Sequence, residues 1–366
     1  MEKMGKYLTK DRQKQRNLSD ILRFILQKGT TTRREIERET GFSWGAVSES
    51  VTELIARGYV HEEMPSEKSV GRTSSVLKLS GDSIVSVGID INVSGIVARI
   101  IGFDRSRKWK KTIPCTATTQ DELFEAAIDV CGEAFSLCEE KYRVISIGIA
   151  IQGTVDTENG ISIHFPGIPN WQTINIKEMF EERFGVFTTV EHDPKCLLFA
   201  KNSSAKLRDA LLLRIDNGIG LSVIQDGSIL NDFGRMEIGH TIAVYNGERC
   251  TCGKRGCLEA YSSIPGIEHR SGKQYSDIVR EGSADIFAEA SLHLSRAVYN
   301  LTMLFRPEKI ILTGILSENE SFVKCFTDAF FAIEDAGCEI EVDNNISASM
   351  GAALLSIMNL LKTNNI

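Results

Sequence analysis

The chain has 366 residues, of which 42% are hydrophobic and 25% charged, and its formal net charge is −7. This length accommodates two or three domains with ample core, and the composition is that of an ordinary water-soluble globular protein. No uninterrupted apolar run is long enough to span a bilayer. The basic, polar stretch Met1–Asn17 lacks the apolar centre of a signal peptide, so the expected location is cytoplasmic, without membrane insertion.

Charge is unevenly spread. Residues 1–80 hold 15 Lys and Arg against 11 Asp and Glu, whereas the remainder holds 27 against 38. A basic head on an acidic body suits a DNA-binding head whose body stays off the phosphates. Within that head, Leu18, Ile21, Leu22, Ile25 and Leu26 follow the spacing of an amphipathic helix that stops at Gly29. Thr32, with Glu35 three positions later, predicts a capped short helix through Thr40. Gly41 is the turn, and Ser43 predicts the cap of a third helix with Val47, Val51, Leu54 and Ile55 inward, ending at Gly58. This order is the helix-turn-helix signature. Tyr59–Glu63 and Ser75–Leu79 then read as strands around the polar loop 64–74, which makes a wing with Gly71-Arg72 near its tip. The expected DNA contacts are Ser43, Trp44, Gly45, Ser48 and Glu49 toward the major groove, and Arg72 toward phosphate or the minor groove. The alternative is a tri-helical unit that mediates protein contacts. The basic stretch Lys3–Arg16 reads as a phosphate-contacting arm or as a solvated, frayed terminus.

Beyond Ser80 strands alternate with helices. Two β-runs, Ile84–Ile91 and Gly95–Phe103, flank a turn and precede a helix over 120–140 and a strand over Val144–Ile151. The theme recurs with Ala210–Ile215 and Ile219–Gln225, a helix over 284–305, a strand over Lys309–Thr313, a helix over 321–335, a strand over Cys338–Val342 and a terminal helix over 348–362. A strand pair with an acidic residue at its turn, used twice, predicts a duplicated two-lobed α/β architecture with a cleft between the lobes.

Three of the nine cysteines, Cys250, Cys252 and Cys257, crowd into eight residues, and His240 lies ten residues upstream. Gly247, Gly253 and Gly256 permit the tight turns that converge four such ligands on a tetrahedral centre. Four protein ligands leave no open position, so the expected cofactor is a structural Zn2+. One CxC and a lone Cys depart from the paired CxxC knuckles of a nucleic-acid-binding zinc ribbon. The other six cysteines are scattered, which argues for reduced thiols.

The His240/Cys250/Cys252/Cys257 pattern, followed by Leu258-Glu259, resembles the ROK family (repressors, open reading frames and sugar kinases) over essentially the whole chain. The head matches the family's repressor branch, related to N-acetylglucosamine, xylose and glucose-linked repressors. The resemblance implies a winged helix-turn-helix joined to an actin/hexokinase-like, ribonuclease H-like body. The expected domains are 1–80 for DNA binding, 81–191 for the first lobe, completed by helix 348–362, and 192–347 for the second lobe with the zinc site. The resemblance also implies sugar contacts at Asn170, His192, Asp193, Glu237, His240 and Glu259. Asp193 stands where the family's kinases have their general base, and His192 replaces the kinase Asn. Asn170 reads equally well as a turn residue, and the alternative for Glu237 and Glu259 is a pair of solvated surface acids.

Three turns depart from the kinase pattern. Asp90-Ile91-Asn92-Val93-Ser94 carries branched residues where kinases have glycine. Asp216-Asn217-Gly218-Ile219-Gly220-Leu221-Ser222 has Asn for Thr and Leu for a glycine, and Thr313-Gly314-Ile315-Leu316 keeps one glycine. Broken phosphate cradles predict a non-enzyme in which Asp193 is vestigial. The expected function is a sugar-responsive repressor of carbohydrate-utilisation genes, binding a pseudo-palindromic operator as a dimer or tetramer, with a sugar or sugar phosphate as effector. The alternatives are an ATP-dependent sugar kinase, and a repressor controlled by a protein partner such as a sugar-transport component.

Overall fold

The structure is a computed structural model that describes residues 2–64, 75–231, 234, 236–333 and 337–364. The head opens with α1 (Glu2–Lys28), β1 (Thr30–Thr31), α2 (Arg33–Thr40) and α3 (Trp44–Ala56), followed by β2 (Val60–Glu63) and β3 (Val76–Leu79). Its caps are those expected. Thr32 and Glu35 form a reciprocal capping box, Gly41 closes α2 at φ 73°, and the Ser43 hydroxyl accepts the Ala46 amide. The basic stretch read as a phosphate-contacting arm or a frayed terminus lies within α1, which runs back to Glu2. Lys, Arg and Gln are good helix formers, so a polar composition alone does not end a helix. β3 pairs antiparallel with both β2 and the two-residue β1, which was too short to be legible. The wing loop with Gly71 and Arg72 lies outside the described residues.

The first sheet follows with β4 (Ile84–Asn92), β5 (Gly95–Gly102) and β6 (Arg107–Pro114), then α4 (Gln120–Ser136) and β7 (Arg143–Ile151). Next come β8 (Thr154–Asp156), β9 (Ile161–His164), β10 (Ile174–Asn175), α5 (Ile176–Phe184), β11 (Phe187–His192) and α6 (Asp193–Ala205). The second sheet is built from β12 (Ala210–Ile215), β13 (Ile219–Gln225) and β14 (Ser228–Ile229). After α7 (Glu259–Ser262), α8 (Ile264–Ser271), α9 (Tyr275–Glu281) and α10 (Ala284–Phe305) it adds β15 (Lys309–Thr313). Then α11 (Glu320–Phe331), β16 (Glu339–Val342) and α12 (Ala348–Lys362) complete the described chain.

The two five-stranded sheets have the orders β11-β7-β4-β5-β6 and β16-β15-β12-β13-β14. In each, an antiparallel hairpin leads through a helical connection to a strand that returns parallel to the hairpin's first strand. The duplication expected from the strand pattern is therefore present strand for strand. The sequence pattern missed β6, Arg-Lys-Trp-Lys-Lys-Thr-Ile-Pro, because an edge strand carries charge where a central one carries apolar residues. It missed α6 because Cys196, Leu197, Leu198 and Ala200 are all buried, so its apolar residues run consecutively rather than at helical spacing.

The chain divides into two compact units. The first comprises residues 1–151, 159–191 and 352–366, so the head shares a unit with the first sheet and most of α12. Its core runs without a break from Leu18, Ile21, Leu22 and Ile25 of α1 through Val47, Val51 and Leu54 of α3 to Ile84, Phe103, Ile357 and Leu361. Tyr59 packs edge-on against Phe103 at 5.4 Å, and the Arg105 guanidinium donates to the Leu26 carbonyl at 2.8 Å. The second unit comprises residues 152–158 and 192–351. Within it, Lys201 of α6 pairs with Glu341 and with Asp343 (2.6 Å), while Lys309 reaches Glu341 at 2.8 Å. Hydrogen bonds from Lys201 and then Lys309 hold the Glu341 carboxyl below its ordinary 4.5. A carboxylate depressed in the folded state stabilises the fold above its unfolded value and loses that contribution as pH falls through the folded one. Acid unfolding of Glu341→Gln, followed by circular dichroism, is expected to depend less steeply on pH below about 4.5 than that of the parent.

Candidate effector pocket, metal centre and DNA-facing helix

The cysteine segment folds as a compact knuckle. The Cys250 amide donates to the Lys254 carbonyl at 2.8 Å, and the Gly253 amide returns to the Cys250 carbonyl at 2.9 Å. Gly253 and Gly256 adopt φ 85° and 79°, and a Cβ on Gly256 would lie 1.8 Å from the Val244 carbonyl oxygen, so only glycine fits there. The knuckle brings one ligand atom each from His240, Cys250, Cys252 and Cys257 within 4.8 Å of one another. His240 Nδ1 lies 3.7 Å from Cys250 Sγ, and Cys252 Sγ lies 3.7 Å from Cys257 Sγ. Zn–S bonds of about 2.3 Å at tetrahedral angles give sulfur–sulfur edges of about 3.8 Å, so the cluster has the right size for that ion. Burial pushes the Cys257 thiol up to about 12 and raises that of Cys250. Protonated thiols are poor ligands, and a cation bound among them would supply the attraction that favours their thiolate forms.

The knuckle leads directly into Glu259. One Glu259 oxygen lies 3.4 Å from the Ile219 amide, and the other lies 3.5 Å from the Thr251 hydroxyl. The first oxygen also sits against Gly218 and Gly239, where a Cβ would come within 3.1 and 3.0 Å of it. Burial pushes this carboxyl above its ordinary value, and the neighbouring Glu237 adds to the rise while His240 opposes it. The Thr154 hydroxyl reaches Glu237 at 3.4 Å. Glu237 and Glu259 thus form an acidic pair beside His240, which belongs to the cysteine knuckle.

His192 and Asp193 stand at the β11–α6 junction, both almost fully buried, with His192 Nε2 3.6 Å from Asp193 Oδ1. The other Asp193 oxygen accepts from Arg214 Nη1, and Arg214 Nε donates to Asp216 at 2.8 Å. Asn170 lies in the first unit, exposed, in a left-handed turn at φ 58°. Sequence reasoning overlooked Arg214, a single polar residue in the otherwise apolar run Ala210–Ile215. It also overlooked Thr154, which carried no pattern at all.

In the turns that begin at Asp216 and Thr313, three amides meet side-chain oxygens of the protein. Asp216 accepts the Asn217 amide at 2.6 Å, and Glu259 faces the Ile219 amide. At Thr313-Gly314, the Asn344 side-chain oxygen accepts the Gly314 amide at 3.1 Å and the Ser317 hydroxyl at 2.7 Å.

On the head, Ser43, Trp44, Gly45 and Glu49 are exposed and Ser48 is half-buried, all on the N-terminal half of α3. Arg34 stacks over the Trp44 ring at 4.1 Å. Lys14 of α1 lies 3.6 Å from Glu49 and 3.4 Å from Glu53, so the acidic residues of this helix are partly offset by α1.

No helix among the described residues is long and apolar enough to cross a membrane. The ROK family profile matches residues 86–358. The DNA-binding transcriptional dual regulator NagC of Escherichia coli (strain K12) is 27% identical over 338 residues, covering 83% of this chain and 82% of its own. The xylose repressor of Bacillus subtilis (strain 168) is 26% identical over 325 residues, covering 83% of each. Among solved structures, a ROK family transcriptional regulator, a homolog of the E. coli MLC protein, superposes with a TM-score of 0.79 at 21% identity. That match covers 96% of this chain and 99% of the other. A ROK family glucokinase from Streptomyces griseus, in complex with glucose and AMPPNP, superposes with a TM-score of 0.63 at 22% identity over 74% of this chain and 98% of its own. Fold, strand duplication and profile agree: this chain belongs to the ROK family.

Proposed function

We propose that this protein is a sugar-responsive transcriptional repressor of carbohydrate-utilisation genes. Residues 1–80 bind operator DNA, residues 81–191 with helix 348–362 form the first lobe, and residues 192–347 form the zinc-bearing second lobe. The observation that carries this reading is the exposed, Ser43-capped start of α3 on a head whose core is continuous with the ROK body. The repressors among its relatives support it. His240, Cys250, Cys252 and Cys257 hold a structural Zn2+, which supplies cross-linking and no open coordination position. Asn170, His192, Asp193, Glu237, His240 and Glu259 are the effector contacts: the carboxylates of Asp193, Glu237 and Glu259 accept hydrogen bonds from sugar hydroxyls.

Phosphoryl transfer has little support. A phosphate cradle needs free amides and a positive field. Here Asp216, Glu259 and Asn344 engage the Asn217, Ile219 and Gly314 amides, and two of those three acceptors are carboxylates. The kinase reading rests on Asp193 at the start of α6 and on the likeness to the glucokinase. A coupled ATP-consumption assay over hexoses and pentoses tests it, and turnover abolished in Asp193→Asn would establish it.

The repressor reading is tested by selecting binding sites from random DNA with the full-length protein, then adding sugars and sugar phosphates. A selected two-fold site, released by a carbohydrate, is the expected result. On that site, Ser48→Ala is expected to cost about 0.5–1.5 kcal/mol and to relax the preference at one base position. Arg72→Ala is expected to weaken binding to all sequences alike and to lower the salt slope by about 1.

A further inference from the structure

We propose that Arg214 is the positioning residue of the effector pocket, a built-in cation that holds Asp193 for an uncharged sugar and disfavours its phosphate ester. The inference rests on the reading above that Asp193 faces the effector.

The geometry is specific. Arg214 comes from the centre of the second sheet, in register with Gly220 of β13 and Thr313 of β15. Its guanidinium bridges the first residue of α6 and the first residue of the Asp216–Ser222 turn. The side chains of Asp193, Asp216 and Arg214 are 3%, 5% and 15% exposed. α6 is pressed onto β13 at this point, because a Cβ on Gly220 would lie 2.4 Å from the Pro194 ring. The two carboxylates therefore have little room to turn toward water.

A planar guanidinium offers several donors in fixed directions. Here Nη1 is used on Asp193 and Nε on Asp216, which sets the rotamer of both acids. One Asp193 oxygen is committed to Arg214, while Oδ1 lies toward His192 at 3.6 Å, beyond hydrogen-bond length. A hydroxyl donor matches that acceptor. A phosphate does not: it would meet Asp193 and Asp216 here, and Glu259 against Gly218 of the same turn. Arg214 is the one arginine that pairs with these carboxylates among the described residues, and its Nη1 and Nε are engaged. Two carboxylates bridged by one guanidinium leave a residual negative charge, which favours polyols over their esters.

The test uses full-length, zinc-loaded protein and calorimetric titration with neutral hexoses and pentoses and their phosphate esters. The parent is expected to bind a neutral sugar at least tenfold more tightly than the corresponding ester. Arg214→Met is expected to lose at least tenfold in neutral-sugar affinity with zinc content unchanged, and Arg214→Lys to recover part of the loss. Asp216→Asn, which releases the Nε donor, is expected to narrow the discrimination against the ester. An ester that binds the parent more tightly than its sugar, or an Arg214→Met protein that binds as the parent does, would overturn the proposal. Should Arg214→Met not fold, the charge-balanced Arg214→Met/Asp216→Asn protein takes its place; parental affinity there overturns the proposal, and a tenfold loss supports it. If no carbohydrate binds the parent, the sensor reading itself fails, and Arg214's role with it. If sugars bind but Arg214 is indifferent, only the present inference fails.

Discussion

Cys257→Ser is expected to lose zinc, to unfold the second unit at a lower temperature, and to abolish the effector response. Cys257 is fully buried at the end of the knuckle, two residues before Glu259. Changes beyond the ligands themselves already cost metal affinity about 10–100-fold, so removal of a thiolate is expected to cost more than about 100-fold. For a metal bound to the folded state alone, that factor corresponds to about 2.7 kcal/mol. In a unit of this size it lowers the melting temperature by about 5–10 °C. Calorimetry with and without a chelator measures the shift, and elemental analysis measures the zinc. Cys325→Ser on α11, a half-buried thiol outside the cluster, is the control and is expected to leave the metal content and the chelator-induced shift unchanged. The structural reason for a functional effect is short. The Glu259 carboxylate is carried by the helix that starts at the knuckle, so freeing the knuckle frees the acid.

The second large effect is expected from Gly148→Val. Gly148 sits in the middle of β7, where a Cβ would lie 1.9 Å from the Ala352 carbonyl oxygen of α12. Backbone cannot yield as a side-chain end can, so α12 must be displaced. Ser356 would then leave its buried hydrogen bonds to Ser86 and Ser146, each 2.9 Å, and Ile357 and Leu361 would leave the core they share with α1 and α3. Each of those aliphatic side chains contributes about 1.5–3 kcal/mol by burial. A loss of about 3–6 kcal/mol is therefore expected in chemical denaturation, with operator affinity lost in parallel because the head rests on the same helix. Gly132→Ala on α4 is the contrasting case. Nothing lies within 4 Å of its Cβ position, and the change is expected to stabilise by about 0.4–1 kcal/mol.

These two sites differ in how far the sequence discloses them. The knuckle is legible because its chemistry is local: His240, three cysteines and their glycines lie within eighteen residues. The helix caps at Thr32 and Ser43 and the turns after Asn92 and Ile215 are legible for the same reason, since each depends on a few consecutive residues. Gly148 is not, because its requirement comes from Ala352, two hundred residues away. Arg214 looks like an irregularity in an apolar strand until Asp193 and Asp216 are brought to it from two other segments. Asn344 likewise engages the Gly314 amide from thirty residues downstream. Asn170 shows the opposite difficulty, for a positive φ at an exposed turn accounts for an asparagine without any ligand.

One measurement tests the whole account most directly: fluorescence anisotropy of the full-length, zinc-loaded protein on its selected DNA site, titrated with carbohydrates in the presence and absence of ATP. The account predicts salt-sensitive, sequence-specific binding that at least one carbohydrate reverses, with or without ATP. ATP consumption on addition of sugar, together with no sequence preference for DNA, would contradict it.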